Sequence, residues 1–211
     1  TVTECYEWLF SGTDFTFEEL KKKGYVIEPV TYMKYEQKNF ETPSGKVELF
    51  SSLFEKYGYD PLPGYVEPPE SPVSTPELMQ EYPFILISGS RSLEFFHSEG
   101  RQISTLRKKS PDPEITIHTD SAKQINVNNG DWVWVETPKV KGERVRFKVK
   151  VTDRIHPKVV HVPHGWWFPE MSGPEHGCFV SNINVVLKAT PPWEKICGSV
   201  PTRGTICRVS K

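Results

Sequence analysis

From Arg144 to Val151 the chain reads RVRFKVKV, so Arg144, Arg146, Lys148 and Lys150 alternate with Val145, Phe147, Val149 and Val151. Successive side chains of an extended strand point to opposite faces, and this period of two specifies a strand with one apolar and one basic face. The segments around it follow suit. DWVWVET, launched by the turn signal Asn129-Gly130-Asp131, predicts another strand, as do residues 114–118, 158–163, 183–187 and 205–209. PFILIS is short and continuously apolar, which predicts a strand covered on both faces. TDSAKQINV reads as a short helix capped by Thr119 or Asp120. Short strands at close spacing with only brief helices predict a β-barrel over a doubly wound sheet.

The first third of the chain carries a different pattern. Thr16 can cap a helix over FEELKKK, whose acids come first and lysines last, as the helix dipole favours; Gly24 closes it. Extended runs at residues 32–40 and 46–50 flank ETPSG, where Pro43 and Gly45 predict the turn of a hairpin. SSLFEKYG predicts a second short helix. Between Pro61 and Pro76 stand six prolines with polar spacers, a composition that cannot pack and reads as a connecting strap. The expected organisation is therefore a segment of a preceding domain with its strap over residues 1–77, then a barrel over residues 78–211.

Composition removes several functional classes. The 26 Lys and Arg residues balance 27 Asp and Glu, which is no nucleic-acid signature for the whole chain. No apolar run approaches the roughly 20 residues that a membrane helix needs. Cys5, Cys178, Cys197 and Cys207 form no CxxC pair, which argues against a zinc ribbon or an iron–sulfur cluster held by this chain. The opening TVTECYEW has neither an initiator methionine nor a signal-peptide pattern, and the expectation is a piece of a longer polypeptide.

Residues suited to binding concentrate after PFILIS. In LISGSRSLEFFHSEGRQ, a strand stops at Gly89 and then offers Ser88, Ser90, Arg91, His97 and Ser98, hydroxyls and cations that suit an anion. Company strengthens a turn that is weak on its own: Asn182 and Asn184 in SNINVV, and Arg203 before the last strand. Amides and guanidinium groups at strand ends suit a hydrogen-bonding fused heterocycle with a phosphate tail. His161 and His164 form an HxxH, but on a strand that spacing aims the rings at opposite faces, and a shared metal needs a bend. The basic strand could bind phosphates; a solvated face that also blocks edge pairing is the simpler account. Trp132 and Trp134 fit core packing, while Trp166 and Trp167, in a glycine-rich loop, fit either packing or stacking on a ligand. There is no GxSxG nucleophile elbow and no Walker lysine.

In order, ILISGSR with its histidine six residues after the arginine, INVNNGDWVWVET, the basic strand, VVHVPHGWW, SNINVV and RGTICRV resemble one known pattern. It is that of the C-terminal dinucleotide-binding domain of molybdopterin oxidoreductases, the dimethyl sulfoxide reductase superfamily. FETPSGKVELFSSLFEKYGYDPLP resembles the segment that precedes this domain. The GWWFPE loop is most similar to the polysulfide/thiosulfate reductase and acetylene hydratase-like branches.

The resemblance implies a fold that is mostly β with short helices, a double-psi β-barrel preceded by a short α+β segment. It implies a bis(molybdopterin guanine dinucleotide) cofactor carrying molybdenum or tungsten. The expected cofactor-binding residues are Ser88, Gly89, Ser90, Arg91, His97, Ser98, His164, Gly165, Trp166, Asn184 and Arg203, with no catalytic residue and no metal ligand. Gly89 lets backbone amides approach closely, because it has no Cβ. Asn184 matches the asparagine of the family's N-x-L-T signature, although Val185, Val186 and Leu187 follow it here. Phe95 stands where many members carry a polar residue. The metal's protein ligand and an iron–sulfur cluster belong to earlier domains, so the chain alone is expected to be inactive. Its implied partners are the rest of the parent catalytic subunit and an iron–sulfur electron-transfer subunit, in a prokaryotic cytoplasm or periplasm. The alternative from another functional class is a non-catalytic double-psi barrel that binds proteins.

Overall fold

A computed structural model describes residues 1–27, 29–62, 64–189, 193–200 and 204–211. It divides into two compact units, Thr1–Pro63 and Gly64–Lys211. The sequence set that division near residue 78; the structure counts the strap with the barrel. Polar contacts explain why, since Glu70 pairs with the nearly buried Lys139 at 3.6 Å. The buried Ser71 ties the strap to itself, donating to the Glu67 carboxylate and accepting from the Ser74 backbone.

The second unit is a closed barrel of six strands: β1 Phe84–Ser88, β2 Glu114–His118, β3 Trp132–Glu136, β4 Val145–Thr152, β5 Val159–Val162 and β6 Thr205–Ser210. Their order round the barrel is β1-β5-β2-β4-β3-β6. The pairs β1/β5 and β2/β4 are parallel, and the rest are antiparallel. The strand pattern predicted a barrel, and this is the double-psi barrel that the family resemblance implied. The alternation in β4 does what it predicts: Val145, Phe147 and Val149 are buried, while Arg146, Lys148 and Lys150 face outward. Leu86, Ile115, Ile117, Val133, Val135 and Val160 join them in one continuous core. Closure leaves no sheet edge, so the basic face of β4 has no edge to protect.

Three local expectations change in the barrel. β1 is not covered on both faces: Phe84 and Leu86 are buried, but Ile87 is exposed, because a barrel strand has only one inner side. The strand expected at residues 183–187 is a 3-10 turn, Ile183–Val186, whose start is capped by the Asn182 side chain accepting from the Asn184 amide. An asparagine offering its own oxygen to the backbone competes with a sheet ladder, and here it wins. The short helix α6, Thr119–Gln124, is capped by the His118 ring in place of Thr119 or Asp120.

The first unit holds α1 Val2–Phe10, α2 Phe17–Lys23, α3 Lys34–Lys38 and α4 Ser52–Lys56. α2 forms as expected, with a capping box between Thr16 and Glu19 and a left-handed Gly24. The expected hairpin does not form. Its first arm coils into α3, and the described residues of this unit contain no strand. The turn survives, with the Phe40 amide donating to the Gly45 carbonyl and the Gly45 amide to that of Thr42. Two strands with nothing to pack on are marginal in water, and this pair finds no third. The α+β segment is thus helical among its described residues. In the barrel unit, two further short helices, α5 Ser104–Arg107 and α7 Cys178–Ser181, complete the set.

Candidate ligand-binding site

β1 and β5 run parallel with Ser88 beside Val162, so both strands deliver their following loops to one rim of the barrel. The loop after β1 leaves through Gly89, whose φ of 93° lies in the left-handed region that only glycine enters freely. A cavity of about 190 Å³ opens at this rim. The β1 loop lines it with Ser90, Arg91, Phe95, His97 and Arg101, and the β5 loop with Pro163, His164 and Trp166. Thr116 and Glu114 on β2, Lys150 on β4 and His161 on β5 form its strand side.

The two loops are fastened to each other. His97 Nδ1 and His164 Nε2 lie 2.8 Å apart, so one ring donates and the other accepts. His97 holds a left-handed φ of 52°, unusual for a residue with a Cβ. Trp167 Nε1 donates to the Ser98 carbonyl at 2.6 Å. A Cβ on Gly165 would stand 3.4 Å from that of Ser98, so the chains pass at close range there. Trp166 is buried, with the Arg101 guanidinium 4.6 Å and that of Arg107 5.1 Å from its ring centroid. Phe95 meets Trp166 edge-on and is buried too, which explains an apolar residue at that position.

The charge balance of the rim favours an anion. The Asp112 carboxylate is engaged by Lys148 at 2.7 Å, and that of Glu114 by Lys150 at 2.8 Å. The hydrogen bond to Asp112 pushes the Lys148 ammonium above its usual range. Arg101 is 2% exposed. Burial, with the nearby Arg107 charge, lowers its guanidinium to about 10. Burial and then the charge of His164 hold His161 below the usual histidine value. His161 Nε2 and Arg101 Nε are buried polar atoms without a hydrogen-bond partner among the described residues. Such atoms are costly unless a ligand or water meets them.

Of the residues expected from the sequence, Ser90, Arg91, His97, His164 and Trp166 come together around this cavity. Ser98 and Gly165 lie where its two loops touch, and Ser88 and Gly89 at the strand end that feeds them. Asn184 is exposed on the 3-10 turn and is not part of the cavity lining. Arg203 lies outside the described residues. Among the described residues, no three His, Cys, Asp or Glu side chains gather in a way that could hold a metal ion. The basic strand is engaged internally: Arg144 sits 4.2 Å over Trp134 and Arg146 5.0 Å over Trp132. Sequence reasoning missed Arg101 and Thr116, and set Lys150 aside as part of a solvated basic face. Arg101 lies in the same glycine-bounded loop as Arg91 and His97, which was the available signal.

A six-stranded double-psi barrel with a cationic cavity at the end of a parallel strand pair defines a class of anion-binding domain. The description "Molydopterin dinucleotide binding domain" matches residues 84–205, and the chain belongs to that family, within the dimethyl sulfoxide reductase superfamily. It is 40% identical to acetylene hydratase of Syntrophotalea acetylenica over 82% of this chain and 24% of that protein. It is 31% identical to the dimethyl sulfoxide reductase DmsA of Haemophilus influenzae over 83% of this chain and 23% of that protein. A solved acetylene hydratase from Pelobacter acetylenicus superposes with a TM-score of 0.81 at 34% identity, covering 99% of this chain and 29% of its own. The chain thus spans about a quarter of the length of these relatives.

Proposed function

We propose that this chain is the cofactor-holding part of a molybdenum or tungsten oxidoreductase, binding molybdopterin guanine dinucleotide at the rim where β1 and β5 end. The observation that carries the reading is the cavity itself, where Arg91, His97 and His164 meet a buried Arg101. The residues fit the group: a diphosphate suits the guanidinium groups of Arg91 and Arg101, and the hydroxyls and imidazoles suit a polar fused heterocycle. Ligand sites for drug-sized molecules run from about 300 to 1,000 Å³. A cavity of about 190 Å³ therefore suits one fragment of a dinucleotide, with other walls supplied by the parent polypeptide. When bound, the cofactor supplies a metal centre for two-electron redox of the oxo-transfer type, and the chain's share is binding, orientation and electrostatics.

In this reading Ser88, Gly89, Ser90 and Arg91 cradle the ligand at the strand end. His97, Ser98, His164, Gly165 and Trp166 form the opposing loop wall, and Asn184 and Arg203 contribute from later segments. The metal's protein ligand and an iron–sulfur cluster sit elsewhere in the parent enzyme, which couples to an electron-transfer subunit, and the isolated chain has no turnover. Titrating GDP into the 15N-labelled chain tests the binding half. Shifts are expected at Gly89, Arg91, His97 and Asn184; shifts confined to other surfaces, or none, would end the proposal.

A further inference from the structure

Arg101, 2% exposed, is the charged residue that the barrel buries most deeply among the described residues. Phe95 and Trp166 grip its guanidinium, with ring centroids 4.8 and 4.6 Å away. Its Nη1 donates to the His97 carbonyl at 2.8 Å, while its Nε meets no acceptor. No carboxylate among the described residues comes within ion-pair distance. Arg107, stacked on the same tryptophan, makes the contrast plain, because it donates to Glu170 at 3.0 Å. A buried cation without a counter-charge is unfavourable, and a bound anion would remove that cost. Arg101 also lines the cavity.

We propose that Arg101 is a positioning and charge-compensating residue for the anionic part of the ligand, an inference that rests on the cofactor-binding reading above. Its Nη1 fixes the carbonyl of His97, a residue already in a left-handed backbone. That fixes the imidazole against His164 and joins the β1 loop to the β5 loop. Its charge, screened from water by Phe95 and Trp166, reaches an anion in the cavity at low local dielectric, where attraction is strongest. A lysine could supply the charge but not the flat surface that the two rings hold.

The test compares wild type, Arg101→Met and Arg101→Lys for GDP and guanosine binding, alongside their ligand-free melting temperatures. Methionine keeps the bulk and removes the unpaired charge. GDP binding should weaken by about tenfold or more, as expected for a lost charge-assisted contact. Guanosine binding should weaken much less, through the loosened His97 alone, and the ligand-free melting temperature should hold or rise. Lysine should weaken GDP less, while His97 and His164 lose their mutual hydrogen bond in 15N spectra. Equal loss for GDP and guanosine, or affinity that falls only in step with melting temperature, would reduce Arg101 to a structural residue and overturn the proposal. GDP bound as tightly by Arg101→Met as by wild type would overturn it alone, leaving the cofactor reading intact. No GDP binding by wild type would remove both. Should Arg101→Met fail to fold, the wild-type guanidinium decides: its 15N resonances must move on adding GDP, and unmoved resonances refute the role.

Discussion

The two units of this chain are held in different ways. The barrel owns a continuous core in which Leu86, Ile115, Val135, Phe147 and Val160 are wholly buried. The first unit has no buried side chain among its described residues. Its helices rest on local caps, with capping boxes at Thr1 and Thr16 and a hydroxyl cap at Ser51, and on exposed ring pairs such as Tyr6 of α1 stacked on Phe17 of α2. Caps and local pairs contribute on the order of 1 kcal/mol each, whereas a buried aromatic in a packed core contributes several. Left-handed backbones at residues with a Cβ occur in both units, at Met33 and Asn39 in the first and at His97 in the barrel.

Core truncation should separate the units most sharply. Phe147 is 0% exposed at the centre of β4, and Phe147→Ala should cost the barrel about 3–5 kcal/mol, read from urea unfolding. Amide exchange in α2 should not change; if α2 opened in parallel, the units would not be energetically separate. A smaller effect is expected where a single hydrogen bond ties an irregular piece to the barrel. Buried Thr137, just beyond β3, donates to the Val186 carbonyl, holding the 3-10 turn that presents Asn184. Thr137→Val keeps the shape and strands that carbonyl, for about 1–2 kcal/mol. Faster exchange confined to residues 183–187 is the expected signature. In the first unit, Thr16→Ala removes half of a capping box and should cost α2 about 1 kcal/mol, seen as faster exchange at Leu20 and Gly24 with the barrel's melting temperature unmoved.

The same difference governs what could be read from the sequence. Several rules that act over neighbouring residues held: the alternation of β4, the cap and stop of α2, the turn at Asn129-Gly130; the cap of α6 fell one residue early, on His118. The arms of the expected hairpin failed because a strand needs a partner at a distance, and nothing in residues 32–50 says whether one exists. Asn182 turned a plausible strand into a 3-10 turn through a side-chain bond that periodicity does not register. In the site, Gly89 was legible as a strand stop and Arg91 and His97 as polar residues just beyond it, while His164 came only from the family resemblance. Arg101 was not legible, since its significance lies in burial between Phe95 and Trp166, sixty-five residues apart in the case of Trp166, and in the absence of a carboxylate.

The smallest effect is the most diagnostic of the two regimes, because its sign is the same in both units but its pH window is not. In the barrel, burial lowers the His161 pKa below its ordinary 6.5, so the folded state favours the neutral ring. As pH falls through 6.5, the unfolded chain takes up a proton that the folded chain resists, and stability declines with pH in that window. In the first unit Glu19 is held below 4.5, chiefly by a hydrogen bond from the Thr16 backbone. Its contribution is complete above 4.5 and is lost only as pH falls through its lowered folded value. The side chain is exposed, so solvent screening keeps the contribution small. Between pH 7.5 and 5.5 the barrel's urea midpoint should fall while the helical exchange rates of α1 and α2, corrected for intrinsic chemistry, hold steady. His161→Gln should flatten the barrel's slope in that window. A slope that persists in the variant would assign the titration to another group, and helices that weaken above pH 5 would show that the caps are not what holds them.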